Sequence, residues 1–476
     1  MSLIRNVKGL LGRYYDVRYA LGHYRSACVT ATYRTTLRNN APSQMHLSDI
    51  LEHCVQATVQ QHPGLCYGRA SDEPGFPSPA FVQIRTICRD DVVEYVDGNK
   101  SSTPDDSLRQ YLEAAHASLW PANKPSWKVI ICQHERESTN TPTPSSVRVD
   151  IAFLAHHAIA DGLSGAAFHR AMMANFETAS KATSCPEWPL VLTDARPVPS
   201  LVDDFIDFSA FAAVRDPDTG KHVWAGNPVS LPSVDEVHSK IRLVSISAER
   251  LSSMLQSCKR MRVSLTGVLH GLICASLARS LCDAPAFRAV TPYSLRAFTH
   301  ASLQDIVNHI CYMTKYIPRD WLQDLRASAR QSLQEHDQIM KLAREFNSDM
   351  AAEMLRFPRG SAWASLDRVE DLEAYCRDQE GKQRDYTYEL SNLGSQASLN
   401  CSSIALDRLI FTQCGMVAGP AIGLNCVSVQ GGAFTIAITW QHGIVDVSLV
   451  ESLAHDLENC FGEGFAWSTS ESAMGT

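Results

Sequence analysis

Apolar and polar residues follow two different periods along this chain, and each change of period marks an element. Ala27 to Leu37, Phe81 to Ile87, Trp127 to His134 and Val147 to Leu154 read as strands, while Leu47 to His62 and Leu108 to Ser118 read as helices. Within Val147–Leu154, Val149, Ile151 and Phe153 alternate with Arg148, Asp150 and Ala152, the pattern of a strand with one buried face. Phe168, Met172 and Phe176 then recur at i, i+4 and i+8 across Leu163 to Ser180, which predicts a helix whose apolar stripe is core packing. Pro186, Pro189, Pro197 and Pro199 end that helix, and Pro217, Pro228 and Pro232 keep the chain irregular beyond it, because proline removes a backbone donor. A second half follows, with a strand over Lys240–Ile246, helices from about Ala248 and Ser264, and a strand over Arg288–Tyr293. Leu322–Phe346 and Ser365–Tyr375 read as helical, and strands dominate from Tyr386: Leu406–Phe411, Ile422–Val429 and Phe434–Trp440. A last helix covers Val447–Asn459, and the tail from Ser468 reads as loose. The organisation is an N-terminal domain over 1–180, a connecting segment over 181–235 and a C-terminal domain over 236–476.

Composition narrows the class. A chain of 476 residues with 45% hydrophobic and 20% charged residues has room for a large core without covalent staples. A net charge of −8 argues against a nucleic-acid binder, which needs a concentrated basic face. Lys259-Arg260-Met261-Arg262 is read as a solvated helix end. Fifteen cysteines, with no CxxC pair, indicate neither a disulfide framework nor a zinc site; Cys28, Cys54, Cys66, Cys88 and Cys132 read as small buried hydrophobes. No apolar run approaches the ~18 residues that span a bilayer. The longest candidate, Gly267–Leu281, carries His270 and Arg279. With no apolar leader at the start, the expected location is cytoplasmic. Leu3, Ile4, Val7, Leu10, Leu11 and Tyr14 fall near helical spacing, with Arg5, Lys8 and Arg13 between them. Such a helix either packs on the body of the protein, the reading preferred here, or associates peripherally with a membrane surface.

The chemistry concentrates in His156-His157-Ala158-Ile159-Ala160-Asp161-Gly162, which has the form HHxxxDG and follows directly on the Val147–Leu154 strand. Two adjacent imidazoles, an acid and a glycine at a strand-to-helix corner place a general base where it can project into a cavity, and packing alone accounts for them poorly. Gly162 permits a backbone conformation or a close approach that a side chain would obstruct. GxSxG, HExxH and GxxxxGK[ST] are absent, which removes serine-hydrolase, zinc-protease and P-loop readings.

HHxxxDG resembles the motif of the CoA-dependent acyltransferase superfamily, which includes chloramphenicol acetyltransferase, the plant BAHD enzymes and condensation domains. Leu21-Gly22-His23-Tyr24-Arg25 with Ala31-Thr32-Tyr33, Glu389-Leu390-Ser391-Asn392-Leu393-Gly394, and Trp440-Gln441-His442-Gly443-Ile444-Val445 are similar to segments of fungal alcohol acetyltransferases. These matches run in family order from about residue 10 to 450. The DFGWG motif of the plant branch is absent.

The resemblance implies an α/β fold of two similar chloramphenicol-acetyltransferase-like domains, each with a mixed sheet flanked by helices, and a channel between them. It implies that His157 is the general base and His156 a buried support. It also implies that Asp161 pairs with Arg296 in Val290–Arg296 and orients the turn, in preference to acting in a catalytic triad. Asn392 and Gly394 either face the channel or shape a strand, and His442 either reaches the channel or, as a lone His near a strand end, is structural. The activity implied is O-acyl transfer without an acyl-enzyme, from acetyl-CoA or another acyl-CoA as co-substrate to a small or medium hydrophobic alcohol or secondary metabolite. The enzyme would be a monomer that binds no resident cofactor and no metal. N-acetylation of an amine and a non-catalytic condensation-like module are the alternatives.

Overall fold

The computed structural model describes residues 4–5, 9–35, 45–70, 80–99, 101–134, 147–194, 196–212, 218, 220–231, 238–401 and 403–460. The turn-rich stretch 137–145, Pro217 and Pro232, Leu3 and Val7, and the tail from Ser468 lie outside the described residues.

The first half supplies strands β1 (Ala27–Thr35), β2 (Val93–Asp97), β3 (Trp127–Gln133) and β4 (Val147–Ala155). The second supplies β5 (Ser239–Ile246), β6 (Phe287–Ser294), β7 (Ile310–Ile317), β8 (Tyr388–Gln396), β9 (Ile404–Gln413), β10 (Ile422–Val429) and β11 (Phe434–Gln441). They form two mixed sheets, a five-stranded one ordered β9-β1-β4-β3-β2 and a six-stranded one ordered β5-β11-β10-β8-β6-β7. Pairing is parallel between β2 and β3, β6 and β8, and β8 and β10, and antiparallel elsewhere in these two sheets. The fold is the expected α/β class with helices flanking mixed sheets. One feature departs from a simple division of the chain near residue 236. β9 belongs to the second half in sequence, yet it pairs along its length with β1 of the first, from Ile404 opposite Thr35 to Gln413 opposite Ala27.

The motif strand β4 is also deeper than its alternation suggests, being buried on both faces from Val149 to Ala155. Val149, Ile151 and Phe153 pack into one core with the apolar face of the helix Leu47–Gln61 (α1) and with Phe168, Met172 and Phe176. Ala152 and Leu154 pack on the opposite side against Leu108 and Leu112 of the helix Pro104–His116 (α2) and against Ile241 and Ala437 of the second sheet. Asp150 is not solvated; Arg148, His134 and Thr32 neutralise and hydrogen-bond it.

The second half is built around the helix Leu265–Ser280 (α3), which is buried nearly all round. Gly267 and Gly271 face the helix Leu333–Arg356 (α4) so closely that a Cβ at either would come within 2.9 Å of its backbone or Ile339. Among the described residues no single helix is long and apolar enough to cross a membrane. The stretch Leu322–Phe346, read as one helix, is two: Arg319–Ala327 ends before Gln331, whose φ of 58° breaks the spiral ahead of α4. Cys88 is exposed, not buried, while Cys28, Cys54, Cys66 and Cys132 are buried as read.

The element that ties the halves together at the site is the helix Leu10–Ala20. It carries a buried face of Leu10, Leu11, Tyr15 and Tyr19, which places this part of the amphipathic N-terminal stretch on the body of the protein. Tyr14 meets Trp363 of the second half edge-on, with ring centroids 5.9 Å apart.

Candidate active site

β4 ends at Ala155, and the chain turns through His156–Ala160 into the helix Gly162–Ala174. Asp161 caps that helix, its Oδ1 accepting from the Ser164 backbone N–H at 2.8 Å and from the Ser164 hydroxyl at 2.9 Å, so an acid here is a local requirement of the fold. Gly162 is needed for space and not for a special backbone angle. A Cβ there would lie 2.6 Å from Leu393 and 3.0 Å from the Phe411 ring, both of the second half.

Arg296, just after β6, meets Asp161 with two hydrogen bonds, Nη1 to Oδ2 at 2.5 Å and Nη2 to Oδ1 at 3.0 Å. The His309 N–H donates to the same carboxylate at 3.2 Å, and Asp161 N–H donates to the Val307 carbonyl at 3.3 Å. Burial opposes ionisation of Asp161, but the Arg296 guanidinium and these donors hold its carboxyl below the usual value. No hydrogen bond joins Asp161 to His157 among those of the described residues, so the acid does not form a relay with the imidazole. Asn308 adds a bond that the sequence did not suggest, its side-chain amide donating to the His157 carbonyl at 2.5 Å. The segment 307–309 of the second half thus clamps the motif turn of the first.

The two histidines face different surroundings. His156 is buried, accepts from the Ala158 N–H through Nδ1 at 3.0 Å, and stands edge-on to Tyr19 with its Nε2 3.7 Å from Asp16. His157 stacks on Tyr15, centroids 4.2 Å apart at 24°, and lies 5.5 Å from the Tyr24 ring. Its Nδ1 is buried without a hydrogen bond, so Nε2 is the nitrogen that opens on the cavity. Burial lowers the imidazole to about 4; Asp161 and the nearby carbonyls of His157 and Ala160 oppose that shift, and Arg18 adds to it. The ring is therefore neutral throughout the physiological range, below the ordinary value near 6.5 expected from the residue type alone.

The cavity beside His157 has a volume of about 150 Å³ and is lined from both halves. Tyr15, Arg18 and Tyr24 come from the N-terminal stretch, Tyr293 and Ser294 from β6, Glu389, Ser391 and Asn392 from β8, and Gln413 from β9. Asn392 lines the cavity and also shapes the strand: it donates to the Thr266 hydroxyl at 3.2 Å and accepts from the Gly394 N–H at 2.9 Å. Gly394 adopts φ of 71° where β8 shifts register against β10. His442 does not reach the cavity. β11 ends at Gln441, and Gly443, with φ of 81°, turns the chain outward, leaving His442 exposed. Arg18, Tyr15 and Glu389 were missed as site residues; the Tyr14-Tyr15 pair and the charge at Glu389 were the available signals, while Arg18 shares its helix with Arg13 and Asp16 and does not stand out. A larger open groove of about 630 Å³ runs past Ala167 and Arg170 but holds neither motif histidine.

Cys132, His134 and Asp150 cluster closely enough to suggest a metal site. Asp150 is already bound by Arg148 and Thr32, and His134 Nε2 lies 2.6 Å from Asp150, so a cation would have to displace a guanidinium.

Two halves clamped on an HHxxxDG turn, with a neutral imidazole opening on a cavity between them, define a CoA-dependent acyltransferase fold, and the chain is an acyltransferase. Within that class it is alcohol acetyltransferase-like: the alcohol acetyltransferase family model matches residues 77–194, the stretch that contains the motif. A probable alcohol acetyltransferase of Fusarium pseudograminearum, FCK4, is 26% identical over 461 residues, covering 92% of this chain and 91% of that one. The structure of TRI3 trichothecene 15-O-acetyltransferase from Fusarium sporotrichioides superposes with a TM-score of 0.69 at 12% identity, covering 98% of this chain and 96% of that one. The first condensation domain of the CDA synthetase gives a TM-score of 0.58 at 13% identity, covering 95% and 97%.

The Asp161–Arg296 pair allows a direct test. Both residues are buried, at 4% and 5% exposure, so removing one leaves the other charge unpaired in the interior, at about 3–5 kcal/mol for Asp161→Leu or Arg296→Met. The double variant is expected to lose less than the sum of the two, measured by denaturant unfolding as a double-mutant cycle. Strictly additive losses would show that the two side chains do not meet in solution.

Proposed function

We propose that the protein transfers the acetyl group of acetyl-CoA to the hydroxyl of an alcohol acceptor, with His157 as the general base. Nε2 takes the hydroxyl proton as the oxygen attacks the thioester carbonyl carbon. The C–S bond then breaks, and the imidazolium returns the proton to the departing CoA thiolate. The thioester is already activated, so no acyl-enzyme is needed; Ser294 and Ser391 line the cavity, but neither is hydrogen-bonded to His157. Asp161 and Arg296 hold the turn, His156 supports it from behind, and Asn392 and Gly394 shape the opposite wall. The single observation that carries this reading is the uncharged, stacked imidazole whose one accessible nitrogen faces a cavity built from both halves. The names of the matched proteins, alcohol acetyltransferases and a 15-O-acetyltransferase, support oxygen as the acceptor atom.

The test is release of CoA thiol from acetyl-CoA across matched alcohols and amines, with the products identified by mass. Release with alcohols and formation of O-acetyl esters is expected. Turnover of amines alone, or no release with any acceptor, would overturn the reading.

A further inference from the structure

Two charged side chains in this cavity are left with unused hydrogen-bonding capacity. Arg18 is about nine-tenths buried; its Nη2 donates to the Ala418 carbonyl at 2.7 Å, and the Tyr14 hydroxyl is a second hydrogen-bond partner. Its guanidinium otherwise lies over the rings of Tyr14, Tyr15 and Tyr24, 5.3–5.9 Å from their centroids. Among the described residues no carboxylate comes within ion-pair distance of it. Glu389 lies across the same cavity on β8 and accepts from the Gln413 amide through Oε1 at 2.6 Å. Gln413 in turn accepts from the Tyr24 hydroxyl at 2.8 Å and donates to Asn425 at 2.8 Å, which fixes the amide and hence Oε1. Oε2 takes no hydrogen bond from the described residues and opens on the cavity. Burial pushes the Glu389 carboxyl up, against the pull of Gln413 and Arg18.

The cavity thus presents a donor without a counter-ion and an acceptor oxygen that does not meet it, both beside His157. A purely hydrocarbon alcohol would desolvate both groups and give nothing back, and leaving a buried polar group unpaired is costly. A carboxylate would satisfy Arg18 but press against Glu389 whenever Glu389 is ionised. A hydroxyl fits both, since its oxygen accepts from the guanidinium while its proton is donated to the carboxyl. Sites built to hydrogen-bond a substrate hydroxyl reject the analogue that lacks it far more strongly than they reject one missing a methylene.

We infer that the acceptor is a polyoxygenated alcohol, whose second hydroxyl is bound between Arg18 and Glu389 while the hydroxyl to be acetylated sits at His157. This rests on the acetyl-transfer reading above and names a more polar class than the hydrophobic alcohol that the sequence suggested beside a secondary metabolite.

The experiment uses the full chain, acetyl-CoA and matched pairs of acceptors on one skeleton: cyclohexanol and 1,3-cyclohexanediol, menthol and p-menthane-3,8-diol. 3-Hydroxycyclohexanecarboxylate is the anionic comparison. The diols are expected to exceed their mono-ols by about 10²-fold or more in kcat/KM. Arg18→Met and Glu389→Gln are each expected to shrink that ratio at least tenfold, chiefly through KM of the diol. Glu389→Gln keeps the shape and the Gln413 contact, so it separates recognition from folding, which circular dichroism checks for both variants. Equal rates for diol and mono-ol, a ratio unmoved by either substitution, or preference for the carboxylate would each overturn the inference while leaving acetyl transfer standing. Absence of CoA release with every acceptor would instead overturn the acetyl-transfer reading, and this inference with it.

Discussion

His157→Ala is expected to lower turnover by about 10²–10⁴-fold, the contribution of a positioned general base, while acetyl-CoA binding and melting stay near those of the wild type. The ring borders an existing cavity and makes no hydrogen bond through Nδ1, so its removal breaks little that holds the fold. His156→Ala should behave in the opposite way. Its imidazole is sealed between Tyr19, Asp16 and the Ala158 N–H, and losing it should reduce stability more than the chemical step. The pH profile adds a second reading. With the His157 imidazole lowered to about 4, kcat/KM should be flat from pH 8 down to about 6, with no limb near 6.5. A limb near 6.5 would show that the site is solvated. If His157→Ala retained nearly full turnover while a folded His156→Ala lost it, the base would be the other histidine.

Acidification from pH 7 to pH 5 is expected to destabilise the protein by an amount comparable with its whole folding free energy. Five buried histidines are lowered far by burial, His116 and His270 to about 3 and His23, His157 and His169 to about 4, and buried His309 moves in the same direction. His116 is held by Ser26 and Thr412, His169 by Tyr33 and Val29, and His270 by Tyr388 and Thr291, arrangements that suit a neutral ring. In the unfolded chain each titrates near ~6.5, so between that value and about 4 only the unfolded state binds the proton. Stability is then fully present above about pH 6.5 and is lost as pH falls through the window. At pH 5 each of the four most deeply buried rings accounts for about 2 kcal/mol, and the four together for about 8, with less from His23, against about 5–15 for a typical domain. Glu389 and Asp203, whose carboxyls burial pushes up, act in the opposite direction above about pH 4, but they are two against five. Denaturant unfolding at pH 7, 6 and 5 measures the slope, and equal stability at pH 7 and pH 5 would show that these rings are solvated or charged in the native state.

The sequence was most legible where chemistry and local geometry coincide. HHxxxDG lies at a strand-to-helix corner because Asp161 caps the helix and Gly162 admits Leu393 and Phe411, and both requirements leave residue types that can be read. The apolar stripe Phe168–Met172–Phe176 is core for the same reason. Contacts between distant segments were less visible. Nothing in the spacing of Asn308 shows that it will hold the His157 carbonyl, and nothing near Glu389 shows that Arg18, more than 350 residues away, will share its cavity. The alternation in β4 was true as a pattern but misleading as burial, since a second layer covers the face that Asp150 occupies. His442 shows the reverse error, because a segment can match in order while one left-handed glycine sends its side chain into solvent.

Strand β9 also sets a timetable for synthesis. The motif strand and its neighbour β1 leave the ribosome early, but the strand that covers the outer edge of β1 follows about 250 residues behind β4. At ~5–20 residues per second, that interval is about 10–50 seconds. Throughout it, β1 presents an unpaired backbone edge with three Thr and little charge, the kind of edge that templates aggregation. The nascent chain is thus most exposed while the half that bears His157 waits for its last strand, and chaperone demand during translation should track that delay more than the stability of the finished enzyme.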